Sequence, residues 1–235
     1  MSVGPNHSSS HVSYGKLVKR VYGRFPKIPP GAQHRHYAKW KLLTDPLYKT
    51  VREELEGNHF PTLDIGCGVG LLAFFLRETG VKNEIFGVDF DDSKIRSAQK
   101  VALQYESPPI FEVGDMVKPW PQVVGNVCLL DVLQYLDAPQ REELLSRAAL
   151  HVAPGGLLIL RGSLQEDSWR WSVNVFMDKF ANLAKWMKTK PRSYPTLEEL
   201  RDILSTQGLK LIRSHPLWGK TPFNMHFMVF QRPLE

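Results

Sequence analysis

Four aspartates and three glycines carry the strongest chemical signal in the chain. Asp64, Asp89, Asp115 and Asp131 each stand at or just after the end of a short apolar run, in LDIGCGVG, EIFGVD, EVGDM and LLDVL. Gly66, Gly68 and Gly70 follow Asp64 and lead into the helical pattern LLAFFLRETG. Glycines there let a ligand approach the backbone at a helix N-terminus, where N–H groups lack partners. A dinucleotide fingerprint would need Gly or Ala at position 71, but Leu71 stands there, which weakens a nicotinamide reading.

Ligands of open α/β sheets bind at the carboxyl ends of the strands. Carboxylates converging there repel a pyrophosphate but suit a ligand with an ammonium, a sulfonium and a ribose diol. S-adenosylmethionine (SAM) has all three. Asp89 comes 25 residues after Asp64, near the ~20-residue offset at which an acidic side chain reaches a ribose hydroxyl, and is expected to hold the diol. Phe90, next in line, either covers the adenine face or packs in the core. Any single aspartate also reads as a helix N-cap, and the case for a site rests on four at successive strand ends.

Asp131, at the fourth strand end, is the position nearest the expected methyl group, with Gln134 and Tyr135 one helical turn further on. Methyl transfer from a sulfonium relies on positioning, but a phenolic acceptor must also lose a proton. Asp131 and Tyr135 are the expected catalytic residues, and His34, His36 and His226 are further candidate bases. Tyr135 equally reads as a half-buried core phenol, His34 and His36 as solvated residues of a basic segment, and His226 as packed in a strand. Lys41 or Tyr37 could close over the SAM carboxylate or simply serve the surface. Neither a His/Cys cluster at metal spacing nor a G-x-S-x-G nucleophile motif occurs, so no metal is expected.

These residues need a scaffold, and the pattern supplies one. PTLDI, EIFGVD, PIFEV, NVCLL and LLILR are runs of strand length, separated by helical patterns around 71–79, 91–104 and 138–151. Such alternation predicts an α/β fold with a Rossmann-like, mostly parallel sheet. Before it, Leu43, Leu47, Val51 and Leu55 follow Trp40 at helical spacing and predict one helix leading into the core. Residues 1–36 show Gly, Pro, Ser and His without sustained periodicity and read as a basic arm, mobile or wrapped, ahead of a domain over 37–235. Trp169, Val173, Phe176, Phe180, Leu183 and Met187 form an amphipathic stripe, read as a lid or insertion over about 166–192 or as core. Thr196 and Glu199 have capping-box spacing, and two final strands follow near LKLIRS and MHFMVFQ.

The 235 residues suit one domain, and 43% hydrophobic with 23% charged residues is ordinary globular composition. No apolar run approaches the roughly 20 residues of a membrane span, and the polar start lacks an apolar signal region. With only Cys67 and Cys128, unpaired in any redox motif, the expected compartment is the cytoplasm. The formal charge of +6 is concentrated at Lys16, Lys19, Arg20, Arg24, Lys27, Arg35, Lys39 and Lys41, which reads as a docking segment for an acidic partner or as a solvated face.

The D-x-G-x-G-x-G loop, Asp89, the GDM after the third strand and LLDVLQYL after the fourth together resemble class I SAM-dependent methyltransferases over about residues 60–165. The resemblance implies a seven-stranded sheet ending in an antiparallel hairpin, with SAM as cofactor. It places Gly66, Gly68 and Gly70 around the methionine moiety, Asp64 near its amino group, Asp89 on the ribose, and Asp115 with Met116 at the adenine. Gly155 and Gly156 of APGGLLILRG correspond to a structural turn. KLLTDPLYKTVREEL, GSLQEDSWRWSV and GKTPFNMHFMVFQRP are also similar to a bacterial subgroup associated with aryl-polyene and xanthomonadin-type pigments. That similarity implies a phenolic, aryl or polyene-type acid as acceptor, free or on an acyl carrier protein.

Two other readings stand beside a small-molecule methyltransferase. One is an RNA methyltransferase, suggested by the basic segments but unaccompanied by an RNA-binding module or an N/D-P-P-[YFW]-type motif, so a nucleic-acid partner is not expected. The other is a non-catalytic SAM-fold protein, which the full set of glycines and acids disfavours.

Overall fold

The computed structural model describes residues 13–29, 31–115, 119–165, 193–220 and 224–234. The amphipathic stripe at 166–192 and Met116 lie outside the described residues.

Seven strands form one sheet: β1 (Thr62–Ile65), β2 (Ile85–Asp89), β3 (Ile110–Val113), β4 (Asn126–Leu130), β5 (Leu157–Ser163), β6 (Lys210–Pro216) and β7 (Met225–Gln231). Their order is β3-β2-β1-β4-β5-β7-β6, with β1 to β5 parallel and β7 antiparallel to both of its neighbours. The strand sequence reverses direction between β1 and β4, which sets the ligand crevice of such sheets beside the β1 loop. β1, β4 and β5 are almost wholly buried, because helices cover both faces and leave no polar alternation.

One face carries α4 (Leu71–Glu78), in which the six residues LLAFFL are all buried. Against α4 pack α1 (Tyr14–Gly23) and α3 (Leu47–Glu54). Parallel neighbours on the sheet are joined through α5 (Asp92–Ala102) and α6 (Ala138–Leu150). Asp91 caps α5 by accepting from the Ser93 and Lys94 N–H groups, and Asp137 with Gln140 forms a reciprocal capping box on α6. The expected box at Thr196 is only half made. Thr196 accepts from the Glu199 N–H at the start of α7 (Leu197–Thr206), but the Glu199 carboxylate turns to the buried Arg141 guanidinium at 2.7 Å.

Two expectations are corrected. The helix beginning near Trp40 is two helices, α2 (Ala32–Thr44) and α3, broken at Asp45 and Pro46. Proline lacks an N–H and biases the preceding residue away from helix, and Asp45 is extended at φ −113° and ψ 119° while its Oδ1 accepts the Leu47 N–H. Residues 14–36, expected to lack periodicity, include α1 and the first turns of α2. Leu17, Val18 and Val21 are buried, and Phe25 meets Phe74 edge-on at 5.9 Å. Gly23, Pro26, Pro29 and Gly31 interrupt the segment so closely that a stripe of under three turns does not stand out in the sequence.

Candidate active site at the carboxyl edge of the sheet

The turn from β1 to α4 is built from left-handed residues, with Gly66, Gly68 and Gly70 at φ of 80°, 58° and 81°. At Gly66 a Cβ would meet Val132 Cγ2 at 2.4 Å, and at Gly70 it would meet Phe111 at 2.6 Å, so both are packing requirements. Gly68 differs. Nothing lies within 4 Å of where its Cβ would be, and it lines a cavity of about 550 Å³. A second cavity of about 780 Å³ adjoins the first, and Gly66, Asp89, Phe90, Lys94 and Tyr135 border both.

Asp89, the last residue of β2, fastens this turn. Its Oδ2 accepts the Gly68 N–H at 2.9 Å and its Oδ1 accepts the Asp91 N–H at 2.8 Å. A carboxylate has about four acceptor positions, so two remain for a diol. The Phe90 ring is 63% exposed on the wall of both cavities, with Lys94 Nζ 5.9 Å from its centroid, so it is not core packing. Asp115 borders the second cavity together with Gly114 and Trp120, and its carbonyl accepts the Trp120 indole N–H.

Asp64 lies on the floor of the first cavity and is only 3% exposed. Among the described residues no hydrogen bond reaches its carboxylate. Burial, reinforced by the charge of Asp89, pushes its pKa up to about 7. A buried acid in this state is suited to a cationic group, and the ammonium of SAM is one. The open space above Gly68, the unused acceptor positions of Asp89 and the exposed Phe90 ring fit the remaining parts of the same molecule.

Asp131 follows β4 and is the one non-glycine residue with positive φ among the described residues, at 61°. Such a conformation costs about 1–3 kcal/mol and persists only where its surroundings hold it. Here both carboxylate oxygens are gripped by Arg161, and Lys41 Nζ approaches Oδ2 at 2.9 Å. Arg161 and Lys41 also reach Asp45 Oδ2, at 2.9 and 2.7 Å. The result is a neutral quartet of two cations and two anions on the cavity wall. Burial would raise the Asp131 pKa, but Lys41 and Arg161 overrule it and hold the group below its ordinary value. Its oxygens are occupied and its affinity for a proton is low, so this environment opposes the expected role of general base.

Tyr135, in the short 3₁₀ turn Leu133–Tyr135, stands where the two cavities meet. Tyr37, Lys41, Ser163, Tyr194 and Met225 also line the first cavity, and none of them borders the second. Of the three candidate histidines, His34 borders the second of these two cavities and His36 and His226 border neither; His34 bonds Ser97 Oγ at 2.9 Å while burial lowers its pKa. His36 is exposed on α2. His226 is buried on β7 beside Asn224 Oδ1, and strand alternation turns it to the face opposite Met225. Arg161, Asp45, Tyr48 and Tyr194 were not identified from the sequence as site residues. The signal for Arg161 was present: a lone charge inside LLILRGS, a strand too apolar to be exposed, implies a buried partner.

A sheet of this order with a glycine turn after its first strand is the Rossmann-like fold of the methyltransferase type. Comparison with known proteins agrees. Residues 62–156 match the family model described as a methyltransferase domain. The chain is similar to demethylmenaquinone methyltransferase of Bacillus licheniformis, 21% identical over 217 residues that cover 86% of this chain and 90% of that protein. Among solved structures it resembles magnesium protoporphyrin IX methyltransferase from Synechocystis PCC 6803 with bound SAH, at TM-score 0.64 and 20% identity, covering 94% of this chain and 95% of that one. It also resembles mitomycin 7-O-methyltransferase, at TM-score 0.65 and 17% identity, covering 95% of this chain but 61% of that one. Residues 62–156 are a methyltransferase domain with SAM as its cofactor, set in a sheet of the order described above.

Proposed function

We propose that this chain methylates a small organic acceptor held in the half of the first cavity between Asp131 and β7. The observation that carries the reading is the composition of that half. Tyr135, Tyr194, Ser163 and Met225 offer aromatic, hydroxyl and thioether surfaces, and the ion quartet beside them is neutral overall. Such walls suit a flat, weakly polar molecule better than a polyanion. The relatives named above, a demethylmenaquinone methyltransferase and a mitomycin 7-O-methyltransferase, support the same class.

When bound, SAM supplies an electrophilic methyl group on its sulfonium. The residues of the chain then have three tasks. Asp64 balances a cationic group, Asp89 holds the ribose, and the Asp131 quartet sets the position of the β4 end so that the acceptor meets the methyl group in line. With Asp131 engaged, Tyr135 is the catalytic candidate that remains from the sequence, placed to hydrogen-bond an acceptor hydroxyl.

The finer reading is a phenolic, aryl or polyene-type acid as acceptor, free or thioester-linked to an acyl carrier protein. Incubation with methyl-labelled SAM and a panel of such acids in both forms tests it. Label in at least one acid is the expected result. Label in RNA with none in any acid would establish the rival substrate class, and SAM binding without transfer to any acceptor would favour a binding protein.

A further inference from the structure

Residues 1–44 contain no Asp or Glu; the first acid in the chain is Asp45. Of the eight Lys and Arg residues in that stretch, three are engaged in the fold. Arg24 pairs with Glu78, Arg35 donates to the carbonyls of Tyr22, Gly23 and Phe25 at the end of α1, and Lys41 belongs to the quartet. The other five, Lys16, Lys19, Arg20, Lys27 and Lys39, are exposed, and among the described residues none has an ion-pair partner.

The same stretch exposes large apolar side chains. On α2, Tyr37 is 52% exposed, Trp40 63% and Leu43 43%, and Ile28 in the preceding loop is 74% exposed. Residues 37, 40 and 43 recur every three positions and share one face of α2, opposite the buried Ala38 and Leu42. Lys39 lies one turn from Leu43, and Lys27 is next to Ile28. The turn around Trp218 joins this face, since the Lys220 N–H donates to the Thr44 carbonyl at the C-terminus of α2. The face also adjoins the site, because Tyr37, Lys41 and Thr44 of α2 line the first cavity.

We propose that the α1–α2 face seats on an anionic lipid surface, with Trp40, Leu43 and Ile28 entering the headgroup layer and the five free cations meeting lipid phosphates. Aromatic and aliphatic side chains flanked by Lys and Arg are the composition of interfacial helices. A lipid surface requires no matching groove, whereas a nucleic acid offers Leu43 and Ile28 nothing to pair with. This orientation brings α2, whose Tyr37, Lys41 and Thr44 line the first cavity, against the bilayer in which an apolar acceptor would partition. The proposal stands apart from the methyl-transfer reading and is tested without turnover.

The full chain is sedimented with vesicles of phosphatidylcholine alone and of phosphatidylcholine mixed with phosphatidylglycerol, at low and high salt. Binding is expected to the anionic vesicles only and to fall with salt as charges are screened. Lys27→Glu with Lys39→Glu, and separately Trp40→Ala with Leu43→Ala, should each weaken it about tenfold or more. SAM affinity by calorimetry should be unchanged in both, since none of the four residues lines either cavity; a loss of SAM binding would report on the site instead. Absence of binding to anionic vesicles overturns the proposal, as does binding that neither double variant reduces. Capture by an acidic carrier protein through these residues, with vesicles ignored, would assign the face to a protein partner and overturn it too.

Discussion

At the residue scale, Asp89 accepts N–H bonds from Gly68 and Asp91 while bordering both cavities, so its removal is expected to loosen the turn together with the subsite proposed for the ribose. Hydrogen bonds to a charged group are worth about 1.5–3 kcal/mol, so Asp89→Ala should weaken SAM binding roughly 10- to 150-fold in titration calorimetry. Unchanged affinity would remove Asp89 from the ribose. Asp64 makes a separate prediction through pH. Its folded pKa of about 7 is raised above the ordinary 3.8, so its contribution to stability is complete below about pH 4 and lost as pH rises through about 7. Denaturant melts of the ligand-free protein should show stability falling across that window, and Asp64→Asn should flatten the slope. SAM affinity should rise over the same range, because the ammonium favours ionised Asp64. Arg161 serves two carboxylates, and Arg161→Met leaves Asp131 and Asp45 with Lys41 alone. Breaking a buried ion pair from one side costs about 3–5 kcal/mol, and a measured loss below about 1 kcal/mol would mean that the quartet is effectively solvated.

At the scale of elements, the β1–α4 turn separates two kinds of glycine. Gly66→Ala forces a Cβ to 2.4 Å from Val132 in a left-handed conformation, so it should destabilise the fold by more than the ~1–2 kcal/mol of the conformation alone. Gly68→Ala meets no atom within 4 Å and should cost about the conformational amount, yet its methyl group enters the cavity and should weaken SAM binding. Paired thermal melts and calorimetry distinguish the two. Equal stability losses in both variants would show that the clash at Val132 relaxes freely. The helix pair α2 and α3 makes a related point, since Asp45 has i,i+4 spacing to Lys41 in any case, but at the break before Pro46 it is extended and also meets Arg161. An unbroken helix would carry Asp45 onward along the α2 axis and leave Arg161 with one acid.

At the scale of the whole molecule, the crevice lies at the carboxyl ends of β1 and β4, where the strand order reverses, and residues from α2 to β5 line it, so a bound cofactor is expected to couple these elements. A ligand at about 100 times its Kd stabilises the native state by about 2.7 kcal/mol, which for a chain of this size raises Tm by roughly 5–11 °C. Scanning calorimetry with SAM should show that rise in the wild type and a much smaller one in Asp89→Ala at the same concentration. The absence of any shift in the wild type would contradict the crevice as a SAM site. α1 and α2, of 10 and 13 residues, are each shorter than the roughly 20 residues of a membrane span, so the lipid contact proposed for them is at the surface.

The sequence by itself determined the strand and helix alternation, the glycine turn and the acids at the strand ends, because each of these is local. Hydrophobic period, turn-forming glycines and the polar residue that closes a strand are all read within about ten positions of one another. It also showed, through the resemblance, the antiparallel end of the sheet. The tertiary structure alone decided what Asp131 contacts. The partners that occupy its carboxylate come from positions 41 and 161, separated from it by 90 and 30 residues, and electrostatic environment depends on distance in space rather than along the chain. The same reason separates the aromatic residues of α2 from the core. Trp40 and Leu43 continue the apolar stripe of Leu47, Val51 and Leu55 in sequence, but α2 ends before Pro46 and turns Ala38 and Leu42 inward instead, leaving Trp40 and Leu43 on the surface while the α3 part of the stripe is buried.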